Sequence, residues 1–264
     1  MSKKQTEETQ AVANTASEET LAILKNEVPV ETSFTKTYLP RIVFNAKTKL
    51  DENENVLRKA GTFIIQRKKG EEWEEEVIGT ELEANFIFHR RQLRYYDEKA
   101  EQYISSPVYG PDNIDTEIIP LFQDRHKIDE GTEKELQAKY PPKEGRKTSS
   151  LEDERVLFVL YKGGLFNLSV KGGSKWAFMK FARDVMVAGH LVQVTSEDME
   201  KGSNKWKQMK FSSVRPVTEE EAREILSRVQ EIKAAIAAEK AYYATTAGGA
   251  VQNSADDYEV IEKF

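Results

Sequence analysis

The chain of 264 residues contains no cysteine, which excludes disulfides, thiolate metal sites and cysteine nucleophiles together. It also lacks any apolar run near the ~20 residues that a bilayer-spanning helix requires. Its first residues, MSKKQTEETQAVANTASEET, have no apolar core of the kind a secretory signal carries. A reducing, cytoplasmic setting is the expectation. Histidine is scarce: His89, His126 and His190 are the whole set, and their spacing matches no zinc helix or metal triad. There is no P-loop, no GxSxG elbow and no Rossmann glycine pattern. Acids are so abundant that no carboxylate pair stands out for general acid–base work. The sequence therefore points away from an enzyme and implies no cofactor.

What the chain does have is unevenly spread charge. The net charge is -6. Residues 1–32 hold three Lys and six acids, and residues 217–264 hold five basic residues and ten acids, so the remaining 33–216 are at +2. Residues 1–32 contain no aromatic and read as a disordered acidic N-terminal tail. Residues 33–217 read as one β-rich domain, with a polar loop inserted at 123–152. A C-terminal helix is predicted over 218–242, and 243–264 read as a flexible spacer and acidic tail.

Within the domain, short apolar runs separated by turn chemistry predict strands at 41–46, 61–69, 74–79 and 83–96. Weaker candidates lie near 102–109 and 115–122. The stretch RVLFVLYKGGLFNLSVKG predicts a hairpin whose positive backbone φ angles come from Gly163 and Gly164. A helix follows at 174–188, then strands at 190–195 and 205–211. For the terminal helix, Thr218 and Glu221 form a capping box, and Ala222, Ile225, Leu226, Val229, Ile232 and Ile236 recur at helical spacing. The predicted class is α+β, mainly antiparallel β in an OB-like barrel or sandwich, with one internal helix and a long C-terminal helix.

The chemistry-bearing pattern is basic residues interleaved with aromatics. In FIFHRRQLRYY, alternation places Leu82, Ala84, Phe86 and Phe88 on one strand face, which then turns polar through Arg90, Gln92, Arg94 and Tyr96. Arg90, Arg91 and Arg94 are candidate phosphate contacts, and Tyr95 and Tyr96 candidate stacking platforms. In the helix SKWAFMKFARD, Phe178 and Phe181 face the core, while Trp176, Lys180 and Arg183 lie opposite, beside Lys175. The strand NKWKQMKF sets Trp206 among Lys205, Lys207 and Lys210, and QRKK adds Arg67 and Lys68. Converging on one face, these residues would make a groove for single-stranded nucleic acid. Equally open at this point, the arginines pair with the many glutamates and the tryptophans pack under neighbouring elements.

The chain closes with DDYEVIEKF after TTAGGAVQNSA. Asp256, Asp257, Glu259, Glu262 and the terminal Phe264 resemble the acidic, phenylalanine-ended tails of bacterial and phage single-stranded-DNA-binding proteins. Lys263 interrupts the acids, and a long helix stands where those proteins carry only linker. The resemblance implies an OB-type domain, a mobile tail that docks on replication and repair or recombination partners, and competition between that tail and DNA for a basic groove. The expected function is a single-stranded-DNA-binding accessory protein. The alternative is a phage structural, assembly or protein-interaction component without nucleic-acid binding.

Overall fold

A computed structural model describes residues 16–27, 39–69, 72–110, 116–123, 126–142 and 149–247, with the side chains of 24–27, 68–69 and 235–247 outside the description. The first element is α1 (Glu18–Glu27). The strands β1 (Arg41–Phe44), β2 (Lys49–Leu50), β3 (Val56–Arg58), β4 (Phe63–Lys69), β5 (Glu72–Gly79), β6 (Leu82–Asp97), β7 (Gln102–Ser105), β8 (Ile119–Gln123) and β9 (His126–Gly131) follow. Helix α2 (Glu133–Lys139) precedes the hairpin β10 (Glu152–Tyr161) and β11 (Gly164–Val170). Helix α3 (Gly172–Asp184) leads through a 3-10 turn into the hairpin β12 (His190–Lys201) and β13 (Asn204–Pro216), and α4 (Glu219–Ala247) comes last.

Strand β6 organises the molecule. Its 16 residues, at ~3.3 Å each, span roughly 50 Å, long enough to take two neighbours along one edge. It pairs with β10 on one side, and on the other with β12 through residues 82–85 and with β7 through residues 94–97. The sheet of 11 strands runs β5-β4-β1-β11-β10-β6-β7-β8-β9, with β12 and β13 branching from β6. Every ladder is antiparallel except the short β1–β11 pair.

Three cores result. On one face Ile42, Phe63, Phe86, Leu157, Leu168, Val192 and Phe211 close around Phe178 of α3. On the other, Ile87, Phe88, Phe158 and Leu160 meet Ala222, Ile225, Val229 and Ile232 of α4. A third joins Leu93, Ile104, Ile119, Leu121 and Leu151 to Leu136 of α2.

These findings correct the expected fold. The sheet coils far enough for the Lys207 N–H to donate to the Ala46 carbonyl at 2.7 Å, but no ladder joins β13 to β1 or β5 among the described residues, so there is no closed barrel. The molecule is mostly sheet with four helices among the described residues, two of them, α2 and α3, inside the β topology rather than one. The expected long terminal helix is not supported as such: described packing by α4 ends with its first turns, at Ile232. Thr218 and Glu221 do exchange the capping bonds, at 2.7 and 3.2 Å, and Arg215 clamps Glu221 with two bonds of 2.7 Å.

Local differences have local causes. Residues 18–27, placed by composition in the disordered tail, form α1; the Ala16 N–H donates to the Val217 carbonyl and Thr20 Oγ1 donates to Glu219. The 123–152 segment holds β9 and α2, the latter closed by a capping box between Thr132 and Glu135 and anchored by the fully buried Leu136. In the β10–β11 hairpin, Lys162 and Gly163 take the positive φ angles (49° and 73°) and Gly164 pairs with Tyr161. The turn therefore sits one residue earlier than Gly163–Gly164.

A candidate nucleic-acid interface

A bulge in β6 decides where its arginines go. Phe158 pairs with Phe88 but Val159 pairs with Phe86, so Ile87 is the extra residue. The alternation is broken there: Phe86 enters the core under α3, and Phe88 enters the core under α4. The single face running from Leu82 to Tyr96 does not exist. Arg90 follows Phe88, is 3% exposed, and lays its guanidinium 4.8 Å over the Phe88 ring. Arg91 points the other way and is 2% exposed.

Arg91 is held inside the protein by an ion cluster. Its Nη2 lies 2.5 Å from Glu133 and 3.0 Å from Asp153, its guanidinium sits over Tyr109, and the Tyr109 hydroxyl donates to Glu133 at 3.2 Å. Burial opposes the Arg91 charge, yet the Asp153 hydrogen bond and the surrounding negative charge raise its pKa above the ordinary value. Burial likewise works against ionised Asp153, and Arg91 outweighs it, holding that carboxyl below the usual range. Burial pushes the Tyr109 phenol up. Neither Arg90 nor Arg91 is placed to meet a phosphate backbone at the surface.

The remaining β6 candidates are nearer solvent. Arg94 stacks 3.9 Å from the Tyr103 ring centroid, and Tyr103 lies 4.9 Å from Tyr96, which is 38% exposed. Tyr95 instead packs on Tyr140 at 5.3 Å.

Most basic runs lie across from an acidic run. Arg67 pairs with Glu76 of β5 at 2.7 Å. Lys68 stands opposite Trp73 in the ladder; its side chain is outside the description. Lys205 approaches Glu200 at 3.7 Å and Lys207 meets Asp198 at 2.8 Å, both across the β12–β13 ladder. Lys175 donates to the Asp153 carboxylate at 3.1 Å. A run that reads as basic along the chain is thus largely neutralised across the sheet.

Three of the four clusters are nevertheless brought together. Asp153 joins Arg91 of β6 to Lys175 of α3. The Met209 N–H of β13 donates to Ser174 Oγ of α3 at 3.0 Å, and Phe178 and Phe181 pack on Phe211 at 5.4 and 6.2 Å. On the outside of α3, Trp176 is 70% exposed, with Lys175 Nζ 5.3 Å from its ring. Lys180 is exposed nearby, and exposed Arg183 pairs only with its neighbour Asp184 among the described residues. On β13, Trp206 is half-buried opposite Met199, and exposed Lys210 stands opposite Thr195. Arg67 is apart from this group, its guanidinium over Phe166. The tail residues Asp256, Asp257, Glu259, Glu262 and Phe264 lie outside the described residues.

One site escaped the sequence reading. A cleft of ≈ 390 Å³ is lined by Lys49, Leu57, Arg58, Trp73 and Glu75. Arg41 stacks 4.7 Å over Trp73, and Arg58 forms an ion pair with Glu75. The signal was a lone tryptophan among acids in EEWEEE, but its cations come from β1, β2 and β3, which only the tertiary fold brings near.

No group of three His, Asp or Glu among the described residues is placed to hold an ion. No helix among them is long and apolar enough to cross a membrane. No protein-family model, curated protein or solved structure matches the chain.

Proposed function

We propose that this chain is a single-stranded-DNA-binding accessory protein of replication or recombination, of the kind phages encode, working stoichiometrically in the cytoplasm. The observation that carries the reading is Trp176. A tryptophan 70% exposed forfeits much of the burial that stabilises such a large side chain, and it stands on a helix face shared with Lys180 and Arg183, next to Lys175. An indole beside cations offers a base a stacking surface and its phosphates a counter-charge. Lys210 and Trp206 lie on the adjoining β13, on the strand face opposite Met209 and Phe211, which pack in the core with Phe178 of α3. The acidic tail supports the same reading through its resemblance to partner-docking tails.

The test is fluorescence anisotropy with an oligo-dT probe across a salt series. Affinity should exceed that for duplex and fall steeply with salt, because bound lysines and arginines release counterions. Absence of binding at low salt, or equal affinity for duplex, sinks the reading.

A second reading, an assembly or protein-interaction component, is favoured by the exposed apolar side chains Leu50, Val56 and Leu57 of the β2–β3 hairpin and Val77 of β5. It gains if light scattering shows stable oligomers and the anisotropy shows no DNA binding.

A further inference from the structure

Arg155 of β10 lies directly opposite Arg91 of β6. Two arginines facing each other across a ladder repel, so such a pair needs counter-charge. Arg91 has it in Glu133 and Asp153. Arg155 shares that charge only at a distance, feeling Asp153 and Glu133 without bonding to them: its Nε and Nη1 are buried with no hydrogen-bond partner. The remaining Arg91 nitrogen, Nη1, and Nε2 of His89 are also buried without a partner. His89 stands two residues before Arg91 on the same strand face, its ring against Phe178 of α3 at 5.3 Å.

Four unsatisfied nitrogens therefore gather beneath α3. Leaving one buried polar group unpaired costs about 1–3 kcal/mol, and more when the group is charged. Within this cluster Arg91, Arg155 and Lys175 face Asp153 and Glu133, an excess of one positive charge. Water can supply acceptors, two hydrogen bonds per molecule, but brings no charge. A tetrahedral oxyanion brings both negative charge and several acceptor oxygens, which suit the planar fork of arginine. Burial, reinforced by Arg91, keeps the Arg155 pKa below its ordinary value despite the attraction of Asp153. Glu117 is the other group to consider. Its carboxylate oxygens are also buried and unpartnered; burial raises its pKa while Arg91 and Arg90 pull it down, so it shares the field of the same arginines without bonding to them.

We propose that Arg155, Arg91 and His89 form a binding site for one small oxyanion of the phosphate class, enclosed by α3 and admitted by movement of the half-exposed Arg155 side chain. The inference is independent of the DNA-binding reading, since the nitrogens are buried from a polymer at the surface.

The experiment is a calorimetric titration of the full chain with inorganic phosphate, against chloride at matched ionic strength, with thermal melts in parallel. Wild type should bind one phosphate per chain saturably, and its Tm should rise with phosphate as a ligand of the folded state alone requires. R155Q should abolish both effects. R155K serves where R155Q does not fold: it retains the charge but loses the fork, and should weaken phosphate at least tenfold. A third arm uses oligo-dT at the same phosphate concentration. No saturable phosphate effect in wild type overturns the proposal, and so does an equal effect in the Arg155 variants. An Arg155-dependent shift with oligo-dT but not with inorganic phosphate also overturns it, assigning the arginines to a strand backbone instead.

Discussion

Ser174 Oγ accepts the backbone N–H of Met209 at 3.0 Å, tying the first turn of α3 to the middle of β13 and setting two tryptophan-bearing elements side by side. Ser174 is 9% exposed. S174A leaves that N–H unpaired in a buried place and should lower stability by about 1–3 kcal/mol, measured by urea denaturation. An unchanged midpoint would show that the bond is not what ties α3 down.

Trp176 should separate binding from folding. W176A should weaken oligo-dT binding by about 1–3 kcal/mol and leave Tm unchanged, since the side chain is 70% exposed. Tryptophan emission should be quenched by oligo-dT in wild type and less so in W176A. Loss of Tm with unaltered binding would make Trp176 a packing residue.

The acids of β12 give an electrostatic test. Asp198 and Glu200 neutralise Lys207 and Lys205. The pair of substitutions D198N and E200Q should strengthen oligo-dT binding severalfold at low salt, with the gain fading above about 0.15 M salt, where the screening length is near 8 Å. Weaker or unchanged binding would remove β13 from the interface.

Arg91 is expected to matter for stability and not for DNA. R91M leaves the buried Glu133 without its cation and Asp153 with Lys175 alone, at a cost of about 3–5 kcal/mol. The variant that remains folded should bind oligo-dT as wild type does. A specific loss of affinity at unchanged stability would restore Arg91 as a contact to the DNA backbone.

His89 sets an acid limb. Burial, then Arg155 and Arg90, lower its pKa to about 4 from 6.5. Between those values the unfolded chain holds more protons than the folded one, so stability rises with pH and falls as pH drops from 6.5 towards 4. H89Q should flatten that part of the Tm-against-pH curve; an unchanged slope would assign it to other groups.

Some features were legible along the chain because their causes are local. The Thr218–Glu221 capping box needs only residues three apart. The β10–β11 hairpin follows from alternation around a tight turn, and α3 from an apolar stripe through Phe178 opposite Trp176 and Lys180. The capping box between Thr132 and Glu135 was equally local, and the polar composition around it hid α2.

The tertiary structure decided the rest, because register and charge pairing are set between residues far apart. The bulge at Ile87 needs β10 as a reference, and without it the β6 arginines fall on the wrong faces. The basic runs of β4 and β13 are read correctly by composition, but their acids arrive across a ladder from β5 and β12, so local charge overstates what solvent meets. The Trp73 cleft needs Arg41 from 32 residues away. Hydrophobic pattern along the chain finds the buried strands and misses polar ones such as β9; which cations stay available to a ligand depends on which strands lie side by side.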